Sequence, residues 1–138
     1  MLRRGSILVV DGDLAVADLL IDLLTDAGYA ALTASDGPSA FWMIINYAPA
    51  LLLLDMQLPG ITGSELIAQI RGAGVAAMPI VLMSTLPGDA EQHVVGACRR
   101  LAKPFDIDEV LSCVAAYVQP IGAGTAARAL GAKETLFE

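Results

Sequence analysis

Four short apolar runs along the chain each end in a polar side chain suited to chemistry. Ile7-Leu8-Val9-Val10 runs into Asp11, Leu51 to Leu54 into Asp55, Ile80 to Met83 into Ser84-Thr85, and Leu101-Ala102 into Lys103-Pro104. Unbroken apolar runs of this length, without polar alternation, predict strands buried on both faces. Between them the apolar spacing switches to the helical period. Val16, Leu19, Leu20, Leu23 and Leu24 predict a first helix over 14–27, stopped by Gly28. Tyr29 to Thr33 predicts a short second strand, and Asp36-Gly37-Pro38 a turn, with Pro38 suited to a helix's first turn. Phe41, Ile44, Ile45 and Ala48 predict a second helix ending before Pro49, with Trp42 and Met43 beside its stripe as partial core. A third helix is expected over 64–71, ended by Gly72 and Gly74, and a short, weakly amphipathic fourth over about 89–95. Strand five is expected at 100–102. A last helix starts near Asp106, with Ile107, Val110, Leu111, Val114 and Val118 on one face.

Alternating strand and helix signals imply an α/β fold, a parallel sheet with helices on both faces. In such sheets ligands bind beyond the carboxyl ends of the strands. Two acids, a hydroxyl and an amine fall there. From Pro120 onward little is available to pack apart from Leu130, Leu136 and Phe137, so 1–119 is expected as the domain and 120–138 as a tail or linker.

Composition narrows the function. A chain of 138 residues, 56% of them hydrophobic, suits one domain with one covered sheet. The net charge of −7 argues against a nucleic-acid-binding surface, which needs clustered basic residues. No apolar run is long enough to span a membrane, and Asp11 and Asp13 interrupt any signal-peptide core, so the expected location is the cytoplasm. Cys98 and Cys113 lack metal or redox spacing and are expected as reduced, buried thiols. His93 has no ligand-like neighbours and is expected at the surface.

Phosphoryl transfer to a carboxylate needs an acceptor oxygen, a divalent cation, a fixed positive charge and donors for the product. Asp11 and Asp55 are candidate carboxylates for the acceptor and for Mg2+, Lys103 for the fixed charge, and Ser84 for the donor. Pro104 makes a rigid turn after Lys103, where a cis bond is accessible.

The motifs Ile7 to Asp11, Leu53 to Gly60 around Asp55, Ser84, and Lys103-Pro104-Phe105 resemble, in order and spacing, those of response-regulator receiver domains. The resemblance covers about 5–119. It implies a flavodoxin-like, doubly wound (βα)5 sandwich with a five-stranded parallel sheet in the order 2-1-3-4-5. It also implies that Asp55 accepts a phosphoryl group from a histidine kinase or histidine phosphotransfer protein. Asp11, Asp55 and the Gln57 backbone carbonyl would hold Mg2+, Lys103 would pair with the phosphoryl group, and Ser84 would hydrogen-bond it. The signal would leave through the face of the fourth helix, fifth strand and last helix, to a downstream protein or a second copy. The transfer is self-catalysed, so no enzyme acting on an external substrate is implied.

Three positions depart from the family pattern. Gly12 stands where a second acid is expected, which should weaken metal binding. Asp13 is a candidate substitute ligand, although capping of the first helix is its favoured reading. Arg100 stands where an aromatic switch residue is common, and Thr85 where Ala is common. These departures keep a second reading open: a degenerate pseudo-receiver serving as a phosphorylation-independent interaction module. A small hydrolase or a flavin-binding protein is a third, but the Asp11-Gly12-Asp13-Leu14 loop is acidic where a flavin phosphate would sit.

Overall fold

The structure, a computed structural model, describes residues 4–75, 77–85, 97 and 99–121. The expected fourth helix with His93, Cys98, and the tail from 122 onward lie outside them. In chain order the elements are β1 (Ile7–Val10), α1 (Leu14–Asp26), β2 (Ala31–Ala34), α2 (Gly37–Tyr47), β3 (Leu51–Asp55), β4 (Gln57–Leu58), β5 (Ile61–Thr62), α3 (Gly63–Gly72), β6 (Ile80–Ser84), β7 (Arg99–Ala102) and α4 (Ile107–Ala115).

The five long strands form one parallel sheet in the order β2-β1-β3-β6-β7. This is the expected 2-1-3-4-5 arrangement, with β6 and β7 as the fourth and fifth main strands. The apolar runs are unbroken because both faces are covered. Ile7, Val9, Leu51, Leu53, Val81 and Met83 point into one core with α1 and α4. Leu8, Val10, Leu52, Leu54, Ile80 and Leu82 point into the other with α2 and α3. Side chains alternate between faces along each strand, so every strand feeds both cores.

Helix starts follow from side chains that accept orphan backbone N–H groups. Asp13 caps α1, Asp36 caps α2 and Asp106 caps α4. Thr62 and Glu65 form a reciprocal capping box on α3, which begins at Gly63, a residue before the expected boundary. Several expectations are corrected. Tyr29 belongs to no strand: its N–H donates to the Leu24 carbonyl as the chain turns out of α1, so β2 starts at Ala31. Pro38 lies in the first turn of α2 as expected, but Gly37 opens that helix instead of belonging to a preceding turn. Leu19 and Ile107, placed on apolar faces by spacing, are exposed, because the buried stripes run through Ala17, Leu20 and Leu24 and through Val110, Cys113 and Val114. On α2 the inward positions are Ala40 and Ile44, which leaves Trp42 and Ile45 outside at 56% and 48% exposure. Trp42 is therefore not partial core.

The segment after Asp55, for which the apolar pattern predicted no element, folds into a small antiparallel hairpin, β4 against β5. Pro59 and Gly60 make its turn, and Gly60 adopts φ 76°, the left-handed conformation that glycine supplies in such turns.

Candidate functional site

The sheet order brings three adjoining strand ends together. Asp11 follows β1, Asp55 is the last residue of β3 and Ser84 the last of β6. Lys103 follows β7 and is tied to β6 by its backbone N–H, which donates to the Ser84 carbonyl at 2.8 Å. The Lys103–Pro104 peptide is cis. Asp11 and Ser84 are buried, and Asp55 is nearly so at 9% exposure.

One ammonium serves two carboxylates. Lys103 Nζ lies 2.7 Å from Asp11 Oδ2 and 3.3 Å from Asp55 Oδ2. The remaining oxygens accept backbone N–H groups: Asp11 Oδ1 from Asp13 at 2.9 Å, and Asp55 Oδ1 from Gln57 at 3.1 Å. The unequal sharing shows in the acid–base balance. Burial pushes the Asp55 carboxyl up. The Gln57 N–H opposes this, the neighbouring Asp11 charge adds to it, and the Lys103 ammonium pulls back, leaving a raised pKa. Burial works against the Lys103 ammonium, but the hydrogen bond and charge of Asp11, with Asp55 behind them, outweigh it and raise its pKa. Lys103 belongs mainly to Asp11, and Asp55 remains incompletely compensated.

An open cleft of about 490 Å3 sits over this pair, lined by Asp11, Gly12, Asp13, Asp55, Gln57, Leu58, Pro59, Ser84, Thr85 and Lys103. Every residue the sequence proposed for the site faces it. Asp13 Oδ1 accepts from Ala15 N at 3.0 Å and Val16 N at 3.4 Å, which is the capping role. Gly12 is open to solvent, and a Cβ there would meet Pro59 Cδ at 3.2 Å. Arg100, half-buried on β7, pairs in register with Leu82, away from the lysine's strand end.

The donor set suits a hard cation. Asp11 and Asp55 offer carboxylate oxygens beside the Gln57 backbone in an open cleft, which fits magnesium held by two carboxylates and completed by water. Among the described residues no group of three or more His, Cys, Asp or Glu side chains makes a closed metal cage.

The close packing at two glycines escaped the sequence reading. A Cβ at Gly63 would lie 2.9 Å from Met56 Sδ, 3.0 Å from Met56 Cα and 3.3 Å from the Asp55 carbonyl oxygen. A Cβ at Gly37 would lie 2.6 Å from Ile61 Cγ2. Both glycines admit the hairpin that follows Asp55. The signal available was the capping-box spelling Thr62-Gly63-Ser64-Glu65, which fixes where α3 starts and thus how closely its first residue meets β3.

A doubly wound parallel sheet with an acid–lysine–acid cluster and an open cleft at its carboxyl edge defines a flavodoxin-like α/β protein. Residues 7–115 match the response regulator receiver domain, and the chain belongs to that family. It is 31% identical over 119 residues to sporulation initiation phosphotransferase F of Bacillus subtilis, covering 85% of this chain and 96% of that protein. It is 37% identical over 109 residues to the response regulator MprA of Mycobacterium tuberculosis, covering 77% of this chain but 47% of that protein, somewhat under half its length. Among solved structures, the receiver domain of NtrX from Brucella abortus superposes with a TM-score of 0.74 at 30% identity, over 80% of this chain and 96% of that one. The chain is thus a response-regulator receiver of two-component signalling. Among the described residues no helix is long and apolar enough to cross a membrane.

Proposed function

We propose that Asp55 is the phosphoryl acceptor, supplied by a histidine kinase or histidine phosphotransfer protein, and that the phosphorylated form signals to a protein partner. The observation that carries this reading is Lys103 Nζ held between Asp11 and Asp55, at 2.7 and 3.3 Å, at the foot of an open cleft. A carboxylate oxygen of Asp55 attacks the phosphorus of a phosphohistidine. The new O–P bond forms as the P–N bond breaks, and the imidazole leaves and is protonated. The product is an acyl phosphate on Asp55. Lys103 then has a phosphoryl oxygen to pair with, and the Ser84 hydroxyl, at the end of the neighbouring strand, donates a hydrogen bond to another. Magnesium, bound by Asp11, Asp55 and the Gln57 carbonyl, would supply charge neutralisation for the phosphoryl oxygens. The chain acts on itself and on no other substrate.

Gly12 favours a second reading, the phosphorylation-independent interaction module. It removes one acid from the cleft, and Asp13 is engaged in capping α1. A beryllofluoride and magnesium titration followed by amide NMR separates the two, since beryllofluoride mimics a phosphoryl group on aspartate. Saturable shifts at Gln57, Ser84 and Lys103 that disappear in Asp55→Asn are expected. Their absence at millimolar magnesium transfers the assignment to the interaction module. In that case Gly12→Asp, which restores the acid at the cost of pressing on Pro59, tests whether the missing carboxylate was the cause.

A further inference from the structure

We infer that Ile61 is a positioning residue for phosphoryl acceptance: its Cγ2 methyl, seated against Gly37 at the start of α2, holds the β4–β5 hairpin and with it the Gln57 N–H that orients Asp55. This role rests on Asp55 being the acceptor. Asp55 Oδ1 accepts from Gln57 N at 3.1 Å, while Oδ2 lies 3.3 Å from Lys103 Nζ. A carboxylate engaged at both oxygens cannot turn about its Cβ–Cγ bond without giving one contact up, so it is oriented before the donor arrives. The Gln57 bond is near the long end of the usual N–H···O range, and a small outward shift of Gln57 loses it.

Gln57 opens β4 opposite Thr62 of β5, and Leu58 stands opposite Ile61, so the two short strands move as one piece. On the sheet side the piece is tied at Met56, whose N–H donates to the Met83 carbonyl at 3.1 Å and whose carbonyl accepts from Gly63 N at 3.0 Å. At the end of β5, Thr62 is held by its capping box with Glu65. Towards α2 the contact is Ile61, half-buried and packed against the core that α2 and α3 share. A Cβ at Gly37 would lie 2.6 Å from Ile61 Cγ2, so this methyl fills the space that a side chain at 37 would need. The wall it meets is firm. Gly37 is buried in the first turn of α2, where Asp36 accepts from Ser39 N at 2.8 Å, and Ala40 and Ile44 fix the helix inward. With Ile61 against that wall, the hairpin stays where Gln57 reaches Asp55. The methyl branches from Cβ, so valine keeps it and leucine, with as many carbons as isoleucine, does not.

The test uses the full chain as wild type, Ile61→Leu and Ile61→Val, with phosphoramidate as the donor in excess magnesium. The donor's P–N bond breaks as the O–P bond to Asp55 forms, and the nitrogen leaves as ammonia. Intact-protein mass spectrometry follows the acyl phosphate, and varying the donor separates maximal rate from half-saturation. Ile61→Leu should lower the maximal rate about tenfold with the half-saturating donor concentration unchanged, and the conservative Ile61→Val should rescue it. A second readout needs no transfer and no metal. In amide NMR without magnesium the Gln57 resonance should move upfield in Ile61→Leu, where its bond to the carboxylate is lost, and keep its wild-type position in Ile61→Val. Circular dichroism confirms that the variants fold. Should Ile61→Leu not fold, Gly37→Ala, which closes the same notch from the α2 side, takes its place with the same expected losses. A wild-type rate in Ile61→Leu or Gly37→Ala overturns the inference and leaves Asp55 as acceptor. So does an unmoved Gln57 amide, or an Ile61→Val chain as slow as Ile61→Leu, since the loss would then be one of general packing. A wild-type chain that takes no phosphoryl group removes the acceptor reading, and the role of Ile61 with it.

Discussion

At the scale of single residues, the site is a contest between two carboxylates for one ammonium. Asp55 loses: Lys103 lies 0.6 Å nearer to Asp11, and the folded state raises the Asp55 pKa. A carboxyl with a raised folded pKa binds its proton more tightly in the native state than in the unfolded chain. Native stability therefore falls as pH rises from about 4 through the folded pKa, and ionised Asp55 opposes folding at neutral pH. Asp55→Asn should then be stabilising at pH 7, on the scale of about 1 kcal/mol common for single favourable substitutions. The gain should vanish below about pH 4, where the wild-type carboxyl is protonated in both states. Urea unfolding at both pH values checks this, and equal stability at pH 7 would contradict it. Lys103→Ala runs the other way, since it leaves buried Asp11 facing Asp55 without a counter-charge. A loss of about 2 to 3 kcal/mol is expected, less than for a fully buried pair because Lys103 keeps some contact with water. The four chemical side chains were legible because each ends an apolar run. Their unequal sharing was not, since a difference of tenths of an ångström depends on strand register and has no sequence signal.

At the scale of elements, the hairpin after Asp55 joins the site to both α2 and α3. Ile61 of β5 packs against the start of α2, where Gly37 leaves room for its Cγ2 methyl, and Gly63 at the start of α3 lies against the backbone of Met56. Gly37→Ala should destabilise by about 1 to 2 kcal/mol through overpacking, and Ile61→Ala in the same chain should recover most of that loss, because only a side chain is in the way. Gly63→Ala should cost more, about 3 kcal/mol, with no single partner substitution to relieve it, because its new methyl meets Met56 Cα and the Asp55 carbonyl. Thermal denaturation of the wild type, the two single variants Gly37→Ala and Ile61→Ala and their double variant closes the cycle, and Gly63→Ala is measured beside them. The same region marks the limit of the sequence reading. Strands β1, β3 and β6 declared themselves by apolar runs buried on both faces, and Asp13 and Asp106 by their place before helices, whereas the cap Asp36 was read only as part of a turn. Two-residue strands such as β4 and β5 carry no periodicity, and Leu19, Ile45 and Ile107 show that apolar spacing overstates a buried stripe when a helix meets a sheet along a narrow line.

At the scale of the whole molecule, the fold gathers carboxylates at one sheet edge of a chain already carrying a net charge of −7. Any salt should relieve the general repulsion, whereas magnesium should also act locally if Asp11 and Asp55 hold it. The two effects separate when sodium chloride and magnesium chloride are compared at equal ionic strength. General screening raises the melting temperature equally in both. Binding to the folded site adds RT ln(1 + [Mg]/Kd), about 1.4 kcal/mol at ten times the dissociation constant. The expected outcome is an excess stabilisation in magnesium that disappears in Asp11→Asn, and one that is larger in Lys103→Ala, where the metal replaces the lost ammonium between the two acids. Equal curves in the two salts for the wild-type chain would mean that, with glycine at position 12, the cleft does not bind the metal in its resting state. A receiver of this design would then have to recruit magnesium together with the incoming phosphoryl group, whose oxygens supply the ligands the chain lacks.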